Sequence, residues 1–207
     1  MKRMARADRE RWYAARDLRD LGRLTALWLE GAIESQPGYE PGFGPDEETA
    51  ELVPVLARAN RAGYVTDASQ PGRAPGTGFD GATWAQRAAV EGWIAPDRSS
   101  ELIDVAQQAG LIVITNTVLN TRFARRCRDF IDVTRRAEQV CTGFGTQRRA
   151  SEIRFQYDEC HRDAINAVIR SRQVTIAAPD YGPDHTVWEV VNEWSVNNGG
   201  VLNEAAS

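Results

Sequence analysis

Two stretches of the chain are built from the same parts in the same order. "VEGWIAPDRSSELIDVAQQAGLIVIT" and "EIRFQYDECHRDAINAVIRSRQVTIAAP" each run strand, acidic cap, amphipathic helix, apolar strand, in matching lengths. A helix with one apolar stripe and a strand with apolar faces must bury them against each other. This order therefore constrains the fold most. It predicts an α+β domain: a mixed sheet made of two β-α-β-containing halves, residues 47–117 and 129–178, with helices packed on it. Residues 1–45 precede them as an N-terminal helix and loop, and 196–207 follow as a flexible tail, within one domain spanning 1–207.

The individual elements follow from periodicity. Trp12, Ala15, Leu18, Leu21, Thr25, Trp28 and Leu29 recur at helical steps, predicting one helix over 8–34. Asp46 suits the N-cap of a second helix, with Pro54 kinking it and Gly63 ending it. "YVTDAS" and "QRAAVEGWI" (86–94) read as strands of one antiparallel pair. Asp97 or Ser99 caps "SELIDVAQQAG", and "LIVITNT" follows as a buried strand. "DFIDVT", "EQVCTGFG" and the alternating "EIRFQY" complete the strands before a helix capped by Asp158, the strand "QVTIAAP" and a last helix at "TVWEVVNEW".

Ser-Gln-Pro-Gly occurs twice, as "SQPGYEPG" at 35–42 and "SQPGRAPG" at 69–76. Pro followed by Gly favours a type II turn with exposed backbone N–H groups. The second copy opens a 17-residue connection, "SQPGRAPGTGFDGATWA". Connections beyond about 12–15 residues are usually functional or disordered, and Phe79 and Trp84 argue against disorder. A third loop, "APDYGPDH", leaves a strand end. The expected site joins these loops and takes a small polar or phosphate-bearing ligand. Its candidate contacts are Tyr39, Ser69, Gln70, Gly72, Asp80, Trp84, Arg87 and Tyr181, with Arg87 as the anion fork. No catalytic residue is assigned; His185 is the candidate acid–base group and Asp184 a further candidate, whereas His161 reads as structural. The alternatives are an interaction module in which Trp12 and Trp28 contact a partner or a second copy, and a nucleic-acid accessory protein.

Composition narrows the setting. A formal net charge of −4 and a pI near 5.3 weigh against a dedicated nucleic-acid binder. The Arg clusters "RRCRDFIDVTRR" and "TQRRASEIR" are interleaved with acids and read as solvated faces. Cys127, Cys141 and Cys160 lack metal or disulfide spacing. No phosphate-loop, zinc-protease or nucleophile-elbow pattern is present. No metal or cofactor is therefore expected, and no reaction is assigned. With no apolar run long enough to span a bilayer and no apolar leader, a cytoplasmic protein is expected.

The string "LGRLTALWLEGAIESQPGYEPGFGPDEETAELVPVLARANRAGYVTDASQPG…WAQRAAVEGWI" resembles an uncharacterised family of actinobacterial proteins common in Streptomyces. The resemblance covers residues 10–115 and returns at "VTIAAPDYGP". It implies a cytoplasmic setting and carries no catalytic residue.

Overall fold

A computed structural model describes residues 4–121 and 123–199. The N-terminal helix reading resolves into two helices, α1 (Arg6–Ala14) and α2 (Leu18–Leu29). The break falls at Asp17, whose carboxylate accepts from Asp20 N at 2.9 Å and caps α2. A 3-10 turn (Glu47–Leu52) leads into α3 (Val53–Arg61). Pro54 lies in the first turn of α3 and starts this helix rather than kinking it, because the N–H it lacks has no partner there. Asp46 precedes the 3-10 turn, but its carboxylate makes no cap; it accepts from Tyr39 Oη at 2.9 Å.

Next comes the largest departure from the sequence reading. The segment expected to be a loop is strand β1 (Val65–Thr77), which pairs antiparallel with β2 (Thr83–Ile94) along its length. "SQPGRAPG" is thus part of a long ribbon, and the turn is reduced to 78–82. Extended backbone is what Pro prefers, and β1 has β2 on one side only, so Pro71 and Pro75 occupy an edge where a missing N–H is tolerated.

After α4 (Pro96–Gln108) comes β3 (Ile112–Thr117), then the hairpin β4 (Ile131–Arg136) and β5 (Gln139–Phe144). Two helices, α5 (Ala150–Gln156) and α6 (Arg162–Arg170), lead to β6 (Arg172–Ala177) and α7 (Thr186–Gly199). Helix α4 begins at Pro96 behind Ala95, so neither Asp97 nor Ser99 caps it. His161 Nδ1, not Asp158, caps α6 by accepting from Asp163 N at 3.2 Å. "EIRFQY" is helical: Ala150, Ile153 and Tyr157 are its buried positions, a helical spacing that the shorter window hid. The expected tail from 196 is helical to Gly199, and the rest of it lies outside the described residues.

The α+β class stands, with a sheet whose ladders are antiparallel throughout, in the order β3-β6-β2-β4-β5 with β1 on the other edge of β2. β6 is inserted between β2 and β3, so β2-α4-β3 is a crossover between strands that run parallel without touching. The second half runs β4-β5-α5-α6-β6: the stretch expected as the strand before its helix is α5, and β4 and β5 supply the strands that precede it. β2 pairs with β4 through Trp84–Gln86 and with β6 through Ala89–Ile94, so the sheet forks and curls. The chain after β5 returns to the end of β3: Leu119 N donates to Arg148 O and Ala150 N to Leu119 O, both at 2.9 Å. β3 is accordingly a half-exposed edge and not the buried strand expected of "LIVITNT".

The helical face carries the main core, in which Trp12, Leu21, Tyr64, Val90, Ile176 and Trp194 are all buried. Trp12 and Trp28 belong to this core, and their indole N–H groups donate to Ser35 O and Phe43 O. Inside the curl, Ala89, Ile131, Val133, Phe144 and Ala177 form a smaller second core. No helix among the described residues is long and apolar enough to cross a membrane.

Candidate functional site

Alternation along β2 sends Ala88 and Val90 to the helical core and Ala89 and Glu91 into the curl. Glu91 is 7% exposed, in a strand otherwise apolar at this depth. Its Oε2 accepts from Gly145 N and from Thr175 Oγ1 at 2.8 Å on the neighbouring strand. Across from it, the register passes from Thr66↔Gly92 to Ala68↔Glu91, leaving Asp67 as the extra residue of a β-bulge. Bulges re-aim side chains. This one brings Asp67 to Arg148 Nη1, 3.4 Å away, and to the Gln156 amide.

Burial pushes Asp67 above its ordinary pKa against the opposing pull of Arg148 and Gln156. Burial also raises Glu91, with the nearby Asp67 charge adding to it, while its hydrogen bonds to Gly145, Thr175 and Gln173 oppose the shift. Both carboxyl groups face one open groove of about 740 Å³, whose other walls include Gly38, Phe144, Arg148 and Gln156. An inner cavity of about 200 Å³ shares Asp67 and Phe144 and adds Gln36, Tyr39, Ser69 and Gln70. The two Ser-Gln-Pro-Gly segments therefore meet here. Ser35 organises the first: its N–H donates to Asp8, its Oγ accepts from Gly42 N, and its carbonyl accepts from Trp12. Gly38 (φ +76°) lies so close to Gln156 that a Cβ would fall 2.7 Å from the Gln156 side chain.

The residues expected from sequence divide into separate places. Tyr39, Ser69 and Gln70 line the inner cavity; Tyr39 donates to Asp46, and burial with that contact raises it to about 12. Gly72, Arg87 and Tyr181 form a latch where the chain leaves β6. Arg87 donates to Asp132 O at 3.1 Å, Ala178 O at 2.6 Å and Pro179 O, and lies 4.5 Å over the Tyr181 ring. Its guanidinium is thus committed to carbonyls and not presented to an anion. Asp80 and Trp84 sit at the far tip of the β1–β2 ribbon, where Asp80 bonds Arg136, Ala82 N and Trp84 Nε1 and is held down at about 2. Asp184 accepts from Thr186 N at 2.8 Å at the start of α7, beside the exposed His185. Neither lines the groove.

Asp67, Glu91, Arg148 and Gln156 escaped the sequence reading. The available signal was a lone charge inside each apolar strand run, "YVTDAS" and "AAVEGWI".

Fold and groove together define an α+β protein with a curled antiparallel sheet and a carboxyl-lined cleft inside the curl. Residues 7–196 match the domain-of-unknown-function family DUF6919, and the chain belongs to that family. A comparison with curated proteins finds no match.

Proposed function

We propose that the protein binds a small polar ligand in the groove over Asp67 and Glu91. The observation that carries this reading is the pair of buried carboxyl groups, one re-aimed by a bulge, facing a groove walled in part by Gly38 of the first Ser-Gln-Pro-Gly segment, while Ser69 and Gln70 of the second line the adjoining cavity that shares Asp67. Acidic side chains outnumber Arg148 along the groove, which favours a ligand rich in hydrogen-bond donors over one bearing phosphate. Two adjacent carboxyl groups with raised proton affinity also supply a proton donor and acceptor, the minimum for acid–base chemistry on such a ligand. The single lysine at position 2, with all other basic side chains Arg, supports an actinobacterial source, and a cytoplasmic setting accompanies that reading.

Thermal-shift screening of polar metabolites against wild type and Asp67→Asn tests the proposal. A ligand at 100 times its Kd adds about 2.7 kcal/mol, roughly 5–10 °C in Tm for a chain of this size. The shift is expected in wild type and lost in Asp67→Asn. Ligands that shift both proteins equally would place the site elsewhere.

A further inference from the structure

The two Arg clusters of the sequence, which begin some twenty residues apart, are brought together by the closure of the curl. Arg149 donates to Thr121 O at 3.0 Å and Ala124 O at 3.2 Å, Cys127 N donates to Gln147 Oε1 at 2.9 Å, and Arg126 pairs with Glu152 at 2.5 Å. These bonds pin the 123–128 segment against the start of α5. The pinned segment nevertheless turns its largest apolar side chain outward: Phe123 is 82% exposed. Phe155 is 84% exposed and lies one helical turn from Glu152, beside which it lines the groove. On the same two segments, Arg125, Arg128 and Arg154 are exposed. Asp129 and Glu152 offset only part of this charge, so the patch is basic on a chain of formal net charge −4.

We infer that this surface binds single-stranded nucleic acid, with bases stacked on Phe123 and Phe155 and phosphates held by Arg125 and Arg128. Aromatic rings interleaved with arginines are the combination that single strands require, because every base offers a π-face and every linkage a negative charge. A simple polyanion would use the arginines and leave the rings idle. Phe155 also rims the groove, whereas Phe123, Arg125 and Arg128 do not line it, so the inference does not rest on the reading proposed there.

The test is fluorescence anisotropy with labelled oligo(U) and oligo(dT) over a salt series. Wild type is expected to bind at low salt. Phe123→Ala is expected to weaken binding roughly ten-fold with little change in salt dependence. Arg125→Ala with Arg128→Ala is expected to make the slope of log K against log salt shallower by roughly 1.4, for two phosphates at about 0.7 each. Asp67→Asn is expected to leave binding unchanged, which separates this surface from the groove. Absence of binding to both strands at low salt overturns the inference. So does a Phe123→Ala protein that binds as wild type while heparin competes as well as unlabelled oligonucleotide.

Discussion

Gly72 has a φ of +83°, and a Cβ there would lie 2.2 Å from Gly182 O and 2.8 Å from Ala88 N. Both the conformation and the space demand glycine. The same point is tied from the other strand by Arg87, whose guanidinium collects the carbonyls of Asp132, Ala178 and Pro179. An ammonium cannot reproduce that planar fork. Gly72→Ala and Arg87→Lys are therefore expected to destabilise the protein, each by roughly 1–3 kcal/mol. Chemical denaturation checks the magnitude, and groove ligands should still bind at temperatures where the variants remain folded. An undiminished stability in Arg87→Lys would show that the carbonyls are satisfied without the fork.

Among the elements, β1 is the one whose character the sequence concealed. Two Pro-Gly pairs inside eight residues are stronger turn signals than strand signals, and local propensity cannot register that β2 is twelve residues long and offers a partner throughout. Longer apolar runs were more legible: β2, β6, α4 and α7 appear close to where periodicity places them. β3 was recognised as a strand, but its edge position depends on which strand β6 chooses to join, a long-range fact. "EIRFQY" failed for the opposite reason, since six residues satisfy both periods and only Ala150, which precedes them, adds to the helical spacing, while Phe155 of the alternation is exposed. The meeting of the two Ser-Gln-Pro-Gly segments could be anticipated, whereas Asp67 and Glu91 were visible only as charges in apolar strands. Once β1 is seen as an edge strand, its prolines acquire a role, because an unpaired edge is a template for another chain. Replacing Pro71 and Pro75 with Thr restores two N–H groups to that edge. The double variant is expected to self-associate, seen by light scattering as a concentration-dependent mass increase. A variant that stays at the wild-type mass would leave the bulge near Arg73 as sufficient protection.

At the scale of the whole molecule, the sheet separates a large helical core from a small core within the curl, and its ionisable groups set how the assembly answers pH. At the junction of α5 and α6, Glu159 is raised to about 7, chiefly by burial and next by contact with the Asp158 carboxyl, while Arg9 of α1 pulls the other way. The folded chain thus keeps a proton that the unfolded chain, with Glu at its ordinary 4.5, has released. The stabilisation is complete below that lower value and is lost as pH rises to about 7. Asp67 and Glu91 are raised as well and act in the same direction. Opposing them, Asp80 at about 2 and the lowered Glu30, held by Arg61, contribute stability that disappears as pH falls. Maximum stability is therefore expected in the weakly acidic range. Thermal unfolding from about pH 4 to 8 should show wild-type Tm falling through the upper part of this window. Glu159→Gln, which keeps the shape but cannot lose a proton, should flatten the descent. An unchanged slope in that variant would assign the effect to Asp67 and Glu91, and a wild-type Tm that climbs toward neutrality would contradict the sign.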